Sequence, residues 1–520
     1  MNQATADSQT LTSFTEIAEA YDLELQAVKN HLGAETSDLL QLMRVISVLE
    51  VSRHQIQELL ESSWCRLQTL RSDIAGLAAQ AVCVDIDNEI KLADLALQTG
   101  DGFSPGNADD ACERAYRFCL DQSGYSAIGV RIRAAQALIA ATGLNFRHAI
   151  ALYAEAAAFE DIEPSLQWRY LQQQALALEN LGREFIDIEA LQSAVELYQQ
   201  TLLPLTSAQE RTADRAEILD SLGNVLGTLG QRHRGTRMLE RAISSFEDAL
   251  TLRPPEQMPC EWAATQNHLG NALGTLAQRQ HDEEMLEQSI AAFESALEVR
   301  TREDVPEAWA TTQNNLAAVL LSLGQQRKDS KILKRAVDGY KSVLSVWTGD
   351  RLPLVWSTTM DNLGTALRLL GNHRKGPRTL EQSVAAYNAA LSIRTRQRVP
   401  HHWAMTQNNL GAALQMLGER NDDPVTLGKS VTAYRESIKE LNRESESMSW
   451  AMTMANLGVA RRKLAECSAD IDISRRASAD IKMAVDVFRG ASHAQLTELG
   501  EEQLAISRKL TIALEAAAVE

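Results

Sequence analysis

An all-α solenoid of stacked helical hairpins is the fold the sequence predicts, on three observations. Trp262, Trp309, Trp356, Trp403 and Trp450 recur every 47 residues without a slip. Each opens nearly the same line, as in "WATTQNNLAAVL" from Trp309 and "WAMTQNNLGAAL" from Trp403. Apolar positions within each line keep helical spacing, and only 11 prolines interrupt 520 residues. A fixed period of this length marks hairpins too thin to bury their own apolar faces, which stack on their neighbours instead.

Counting from the tryptophan as offset zero, leucine fills offset 7 from Leu222 to Leu457 and offset 14 from Leu229 to Leu464. At about 100° per residue, offsets 0, 7, 11 and 14 fall within roughly 60° of one another and form the core stripe of a first helix. Offset 8 is small: Gly223, Gly270, Ala317, Gly364, Gly411, Gly458. Pro259, Pro306, Pro353 and Pro400, three residues before the tryptophans, suit a first helical turn, where the missing N–H costs nothing. Gly230, Gly324, Gly371 and Gly418 at offset 15 read as the helix C-cap. The second helix, as in "LEQSVAAYNAALSIR", carries a small residue at offset 27 and an aromatic at offset 31 (Phe246, Phe293, Tyr340, Tyr387, Tyr434). Arg215 stands where an earlier tryptophan is expected, and the Trp168 repeat fits with a one-residue slip, so seven repeats cover 168–493.

The flanks read differently. Residues 1–98 are helical but outside the register, with "DLLQLMRVISVLEVSRHQIQELL" from Asp38 as a broad apolar face. They serve as a cap, a small bundle or the contact of a homodimer. "TGDGFSPGNADD" makes 99–110 a linker, and 111–167 resembles a degenerate repeat. Residues 494–520 supply a closing helix. Arg461, at apolar offset 11, is expected to mark a face that is no longer fully covered.

Composition narrows the function. A net charge of −18 leaves no basic footprint for nucleic acid. No apolar run approaches the roughly 18 residues of a membrane span, and "MNQATADSQT" lacks the basic and apolar regions of a secretory signal. The six cysteines show neither a CxxC pair nor metal spacing, as expected of a reduced cytoplasmic protein. "GKS" at Gly428 lacks the upstream glycine of a phosphate loop, and the Asp85/Asp87 pair lacks the glycine and distal glutamate of a calcium loop. Adjacent His401 and His402 read as a solvated loop pair. No catalytic set, metal or cofactor is expected.

Leu-Gly at offsets 7 and 8, followed by small-x3-aromatic-x2-small, resembles the tetratricopeptide repeat (TPR). "TTQNNLA", Thr311 to Ala317, is similar to its kinesin-light-chain-like and bacterial subgroup. The 47-residue unit is longer than the family's usual 34 or so. Gln266, Gln313 and Gln407 replace the bulky residue of offset 4, whose space the tryptophan is expected to fill. The resemblance covers about two-thirds of the chain. It implies a right-handed superhelix whose first helices line a concave groove.

Asparagines stand out on those first helices. Offset 5 reads Asp220, Asn267, Asn314, Asp361, Asn408, Ala455, and offset 6 reads Ser221, His268, Asn315, Asn362, Asn409, Asn456. Offset 5 lies about 160° from the core leucine. An amide offers the donors and acceptors that an extended peptide backbone requires. By resemblance, Asn267, Asn314, Asn315, Asn362, Asn408, Asn409 and Asn456 form the ligand-facing row. Thr311, Thr358, Met405, Arg368 and Met416 then set selectivity. The competing reading makes the asparagines a ladder between adjacent repeats. Arg300, Arg302, Arg394, Arg396 and Arg398, after the second helices, read as a solvated rim. The function expected is a non-catalytic scaffold binding a protein partner or extended peptide. The alternative is a ligand- or peptide-sensing receptor with residues 1–98 as its output module.

Overall fold

The computed structural model describes residues 22–32, 34, 39–40, 42–43, 56–78, 84–97, 105–121, 126–159, 162–207 and 211–518. The amino-terminal decapeptide, Cys83 and residues 44–55 of the expected apolar helix lie outside them. The described residues contain helices and no strand, and form two compact units.

The first unit comprises the chain up to Asp304 with Asp350–Leu352. Its helices are α1 (Asp22–Leu32), α2 (Ile56–Ala78), α3 (Val84–Ala96), α4 (Pro105–Asp121), α5 (Ser126–Thr142), α6 (Phe146–Ala157), α7 (Pro164–Glu184), α8 (Ile188–Glu196), α9 (Thr212–Arg232), α10 (Arg237–Thr251), α11 (Pro259–Gln280) and α12 (Glu283–Val299). Helix α4 begins inside the stretch expected to be a linker, because Pro105 is pre-set for a first turn. Helix α2 packs on α5, and its Leu67, Leu70 and Ile74 share one apolar core with the repeats that follow. Helix α8 runs on through a π-helical turn at Leu197–Leu202. A π turn carries one residue more than an α turn, which matches the one-residue slip of this repeat.

The second unit comprises 305–349 and 353–520. It contains α13 (Pro306–Gln326), α14 (Ser330–Val343), α15 (Pro353–Asn372), α16 (Arg378–Ile393), α17 (Pro400–Asn421), α18 (Pro424–Ile438), α19 (Ser447–Ser468), α20 (Ile471–Gly490) and α21 (Ala494–Ala517). The first helices α13, α15, α17 and α19 start 47 residues apart. The solenoid of hairpins expected from the repeats is what these helices form.

Each hairpin is built by the same few contacts. The offset-7 leucines and offset-31 aromatics are buried in every repeat where they occur. Ser289, Ser383 and Ser430 at offset 27 donate to the carbonyls of Gly270, Gly364 and Gly411 at 2.6, 2.7 and 2.7 Å, tying second helix to first. Asp187, Asp282, Asp329, Asp423 and Asp470 cap the second helices by accepting backbone N–H bonds. Arginines join neighbouring hairpins at their ends. Arg232 donates to Gly182 O and Arg279 to His233 O, both at 2.7 Å, and Arg420 donates to Gly371 O at 2.9 Å. They occupy carbonyls that a helix C-terminus leaves without partners.

Three expectations are corrected. The offset-15 glycines do not cap; Gly230, Gly324, Gly371 and Gly418 lie inside their helices, where a Cβ would come within 2.7–3.0 Å of Leu239, Leu333, Leu380 or Leu427. The left-handed residue comes four positions later, at His281, Lys328, Asp422 and Ala469. The repeat tryptophans sit at the margin of the core, Trp262, Trp309, Trp356 and Trp403 half-buried and Trp168 and Trp450 buried, with Arg396 and Arg443 over the rings of Trp403 and Trp450. Arg461 does not mark an open face, since it pairs inside its hairpin with Asp480.

In the first unit Tyr198 donates a hydrogen bond to the largely buried carboxylate of Glu179. Burial outweighs that bond and pushes Glu179 up to about 7. A carboxyl raised in the folded state binds more protons there, so its contribution to stability falls as pH rises from the ordinary carboxylate range to about 7. Denaturation midpoints at pH 5 and pH 8 are expected to differ less in Glu179→Gln than in the wild type. An unchanged difference would sink this assignment.

Candidate partner-binding face

The first helices of the second unit lie side by side, α13 against α15, α15 against α17 and α17 against α19, each with its own second helix packed on it. Between the first and last turns of each, the strip left in water is offset 2: Thr311, Thr358, Met405 and Met452 are exposed, the two methionines to 51% and 49%.

The amide row lies deeper. Asn314, Asn315, Asn362, Asn408, Asn409 and Asn456 are half-buried, and in the first unit Asn267 is 5% exposed. The Oδ1 atoms of Asn314 and Asn408 are buried without a hydrogen bond. Asn409 Nδ2 donates across the repeat boundary to Asp361 Oδ2 at 3.3 Å. Met416 and Arg368 are also half-buried. Arg368 lies beside the Tyr387 hydroxyl, which burial pushes up to about 12 and the guanidinium pulls the other way.

Asn409 belongs to a buried polar station that sequence reasoning missed. Arg394 is 6% exposed and donates from Nη1 to Thr406 Oγ1 at 2.9 Å, from Nη2 to Thr358 Oγ1 at 2.7 Å and from Nε to Ser357 Oγ at 3.3 Å. Its Nη1 lies 3.8 Å from Asp361 Oδ1. The expected solvated rim is therefore corrected at Arg394, which the turn after α16 directs inward. The first unit holds the same station three repeats earlier. There Arg253 Nη1 lies 3.7 Å from Asp220 Oδ1 and donates to Thr265 Oγ1, and His268 Nδ1 is 3.2 Å from Asp220 Oδ1.

Charge is matched at these stations in four of the five repeats from the second to the sixth; the third carries Arg300 with Asn267, and its guanidinium acts on Asp220 of the repeat before. Arg253 and Arg394 at the turn go with aspartate at offset 5 (Asp220, Asp361). Where the same turn position holds Trp347 or Leu441, offset 5 is Asn314 or Asn408. A buried carboxylate without a guanidinium costs far more than a buried amide, which is the physical reason for the pairing. The two carboxylates end differently. At Asp220 burial raises the group, but His268, Arg253 and Thr265 outweigh it and hold it below the usual range. At Asp361 burial outweighs Arg394, Thr406 and Asn409, and the group is raised. The signal that finds the station is an aspartate at offset 5 with an arginine 33 residues on, as Asp220 with Arg253 and Asp361 with Arg394.

Among the described residues no group of His, Cys, Asp and Glu is placed to hold a metal, and no helix is long and apolar enough to cross a membrane. His401 and His402 lie in the first turn of α17 rather than in a loop, and His401 Nδ1 is 3.1 Å from Glu446.

A tetratricopeptide-repeat family model matches residues 262–303 and 309–346, the third and fourth repeats. No curated protein matches the sequence. Among solved structures, BtubC (BKLC) from P. vanneervenii aligns with a TM-score of 0.34 and 20% identity, over 47% of this chain and 92% of that one. The C-terminal part of a TPR repeat-containing protein from Cytophaga hutchinsonii aligns at 0.38 and 10%, over 62% and 95%. A Rap protein complexed with Competence and Sporulation Factor aligns at 0.36 and 13%, over 76% and 99%. Residues 262–303 and 309–346 are thus tetratricopeptide repeats, and the same hairpin recurs in register on either side of them.

Proposed function

We propose that the chain is a non-catalytic adaptor that holds a protein partner or extended peptide on the first-helix face of its second unit. The observation that carries the reading is the offset-2 strip, where Thr311, Thr358, Met405 and Met452 are in water on successive repeats. Methionine adapts its shape to irregular apolar partners, and side chains that change from repeat to repeat give a row of distinct contacts. The half-buried amides of Asn362 and Asn456 flank the strip and would bind the partner's main chain. The net charge of −18 supports a protein partner over nucleic acid.

The test is comparative affinity purification with wild type and Met405→Glu/Met452→Glu as baits. Both residues are surface side chains, so the double variant is expected to stay within about 0.5 kcal/mol of wild type per site. Loss of wild-type partners from the folded variant is the expected result. Full retention would remove this face from consideration. A second bait, Asn362→Ala/Asn456→Ala, reports separately on main-chain capture.

A further inference from the structure

The second unit gathers positive charge at one end of its helices. The turn between α13 and α14 reads "RKDSKILKR" over 327–335, five cations to one carboxylate. The turn between α15 and α16 reads "HRKGPRTLE" over 373–381, where Arg374, Lys375 and Arg378 stand against Glu381 alone. Helices α13 and α15 lie side by side and start 47 residues apart, so the turns after them share one edge of the unit. Lys328, Lys331, Lys334, Arg374, Lys375 and Arg378 are exposed on that edge, with no anionic partner among the described residues. Composition does not account for the excess, since the whole chain carries −18 and three of its 12 lysines fall within 328–334.

The anion that fits this edge is short. The turns of the sixth and seventh repeats follow on the same edge and carry Asp422, Asp423, Asp470 and Asp472. A membrane surface or a long duplex laid along it would meet those carboxylates, and like charges repel. Neither basic turn holds a Phe, Tyr or Trp on which a nucleic-acid base could stack. None of the large exposed apolar side chains lies in either turn, so nothing there would anchor in a bilayer. We propose that this edge docks an acidic segment of a protein partner, whose Asp and Glu side chains pair with the cations of both turns. The inference goes beyond the adaptor reading and does not depend on it, because the offset-2 strip lies near the opposite end of the same first helices.

Fluorescence anisotropy on the full chain, with a labelled deca-glutamate peptide as probe, makes the test. Lys331→Glu/Lys334→Glu/Arg374→Glu reverses the edge. Lys331 and Lys334 lie near the amino end of α14, where glutamate suits the helix dipole, so this variant is expected to fold. Lys482→Glu/Arg508→Glu/Lys509→Glu, all three exposed, makes the same change of net charge elsewhere in the unit. The peptide is expected to bind wild type with a Kd below about 100 µM in about 50 mM salt, and at least tenfold more weakly in about 300 mM. The edge variant is expected to weaken it at least tenfold, and the control variant by less than about threefold. The proposal is overturned by no binding to wild type, by an edge variant that binds as wild type does, or by an equal loss in both variants. It is equally overturned if deca-thymidylate, or vesicles one-third phosphatidylglycerol, bind wild type as tightly as the peptide.

Discussion

Arg394→Leu is expected to destabilise the second unit by about 3–5 kcal/mol, the cost of leaving one partner of a buried ion pair alone. The substitution strands Asp361, which burial already raises, without the guanidinium that lies 3.8 Å away. The hydroxyls around Arg394 lose less. Thr406, Ser357 and Thr358 already donate to carbonyls of their own helices at 3.0, 2.8 and 2.9 Å, and give up only an incoming donor. The expected rescue is Arg394→Leu/Asp361→Asn, because that pair is what the chain itself carries one repeat later as Leu441 and Asn408. In the double variant the buried charge is gone, and the amide oxygen at position 361 still accepts from Asn409. Most of the lost stability should return. Urea denaturation followed by tryptophan fluorescence reads both effects. A single variant within about 1 kcal/mol of wild type would mean that the ion pair contributes no more than a surface pair.

The same station shows what a sequence can and cannot disclose about this fold. The hairpin was legible because its determinants are local or periodic. The prolines set helix starts, the offset-7 leucines and offset-31 aromatics set the buried faces, and all repeat in register. The asparagine row was legible as a pattern but not as a placement. A helical wheel puts offset 5 opposite the core leucine, yet it treats the helix as standing alone. In the array each first helix is flanked by others, so the side chains of offsets 5 and 6 sink between helices, as Asn409 does against Asp361. Arg394 was misread for the same reason. A turn arginine is solvated by default, and only the carboxylate of the same repeat, one helix away, reveals where it points. The four-residue error in helix ends is of another kind: glycine at offset 15 is demanded by the approach of a leucine rather than by backbone conformation.

Gly364→Ala is expected to cost about 1–3 kcal/mol, although the same change in a free helix would be favourable. A Cβ at Gly364 would stand 2.7 Å from Tyr387 Cε1, and that ring is fully buried, with its hydroxyl 2.9 Å from Thr365 Oγ1. The fourth repeat solves the same crowding the other way. Its offset 8 is Ala317, and Gly339 stands on the second helix beside Tyr340, where a Cβ would lie 3.1 Å from Ala317 Cβ. In every repeat from the second to the seventh, one of these two positions is glycine: Gly223 with Ser245, Gly270 with Ala292, Ala317 with Gly339, Gly364 with Ala386, Gly411 with Ala433, Gly458 with Asp480. At Gly223, Gly270, Gly364 and Gly411 the atoms a Cβ would meet are those of the aromatic ring, and a glycine beside that ring, as Gly339 is beside Tyr340, is expected to let it shift away. Gly364→Ala/Ala386→Gly, which moves the methyl group across the hairpin as the fourth repeat does, is therefore expected to recover to within about 1 kcal/mol of wild type, the helix propensities of the two changes cancelling. Denaturation midpoints decide it. If the double variant is no more stable than Gly364→Ala, the crowding at Tyr387 is set by the ring alone, and the exchange of glycine between the two helices has no energetic meaning.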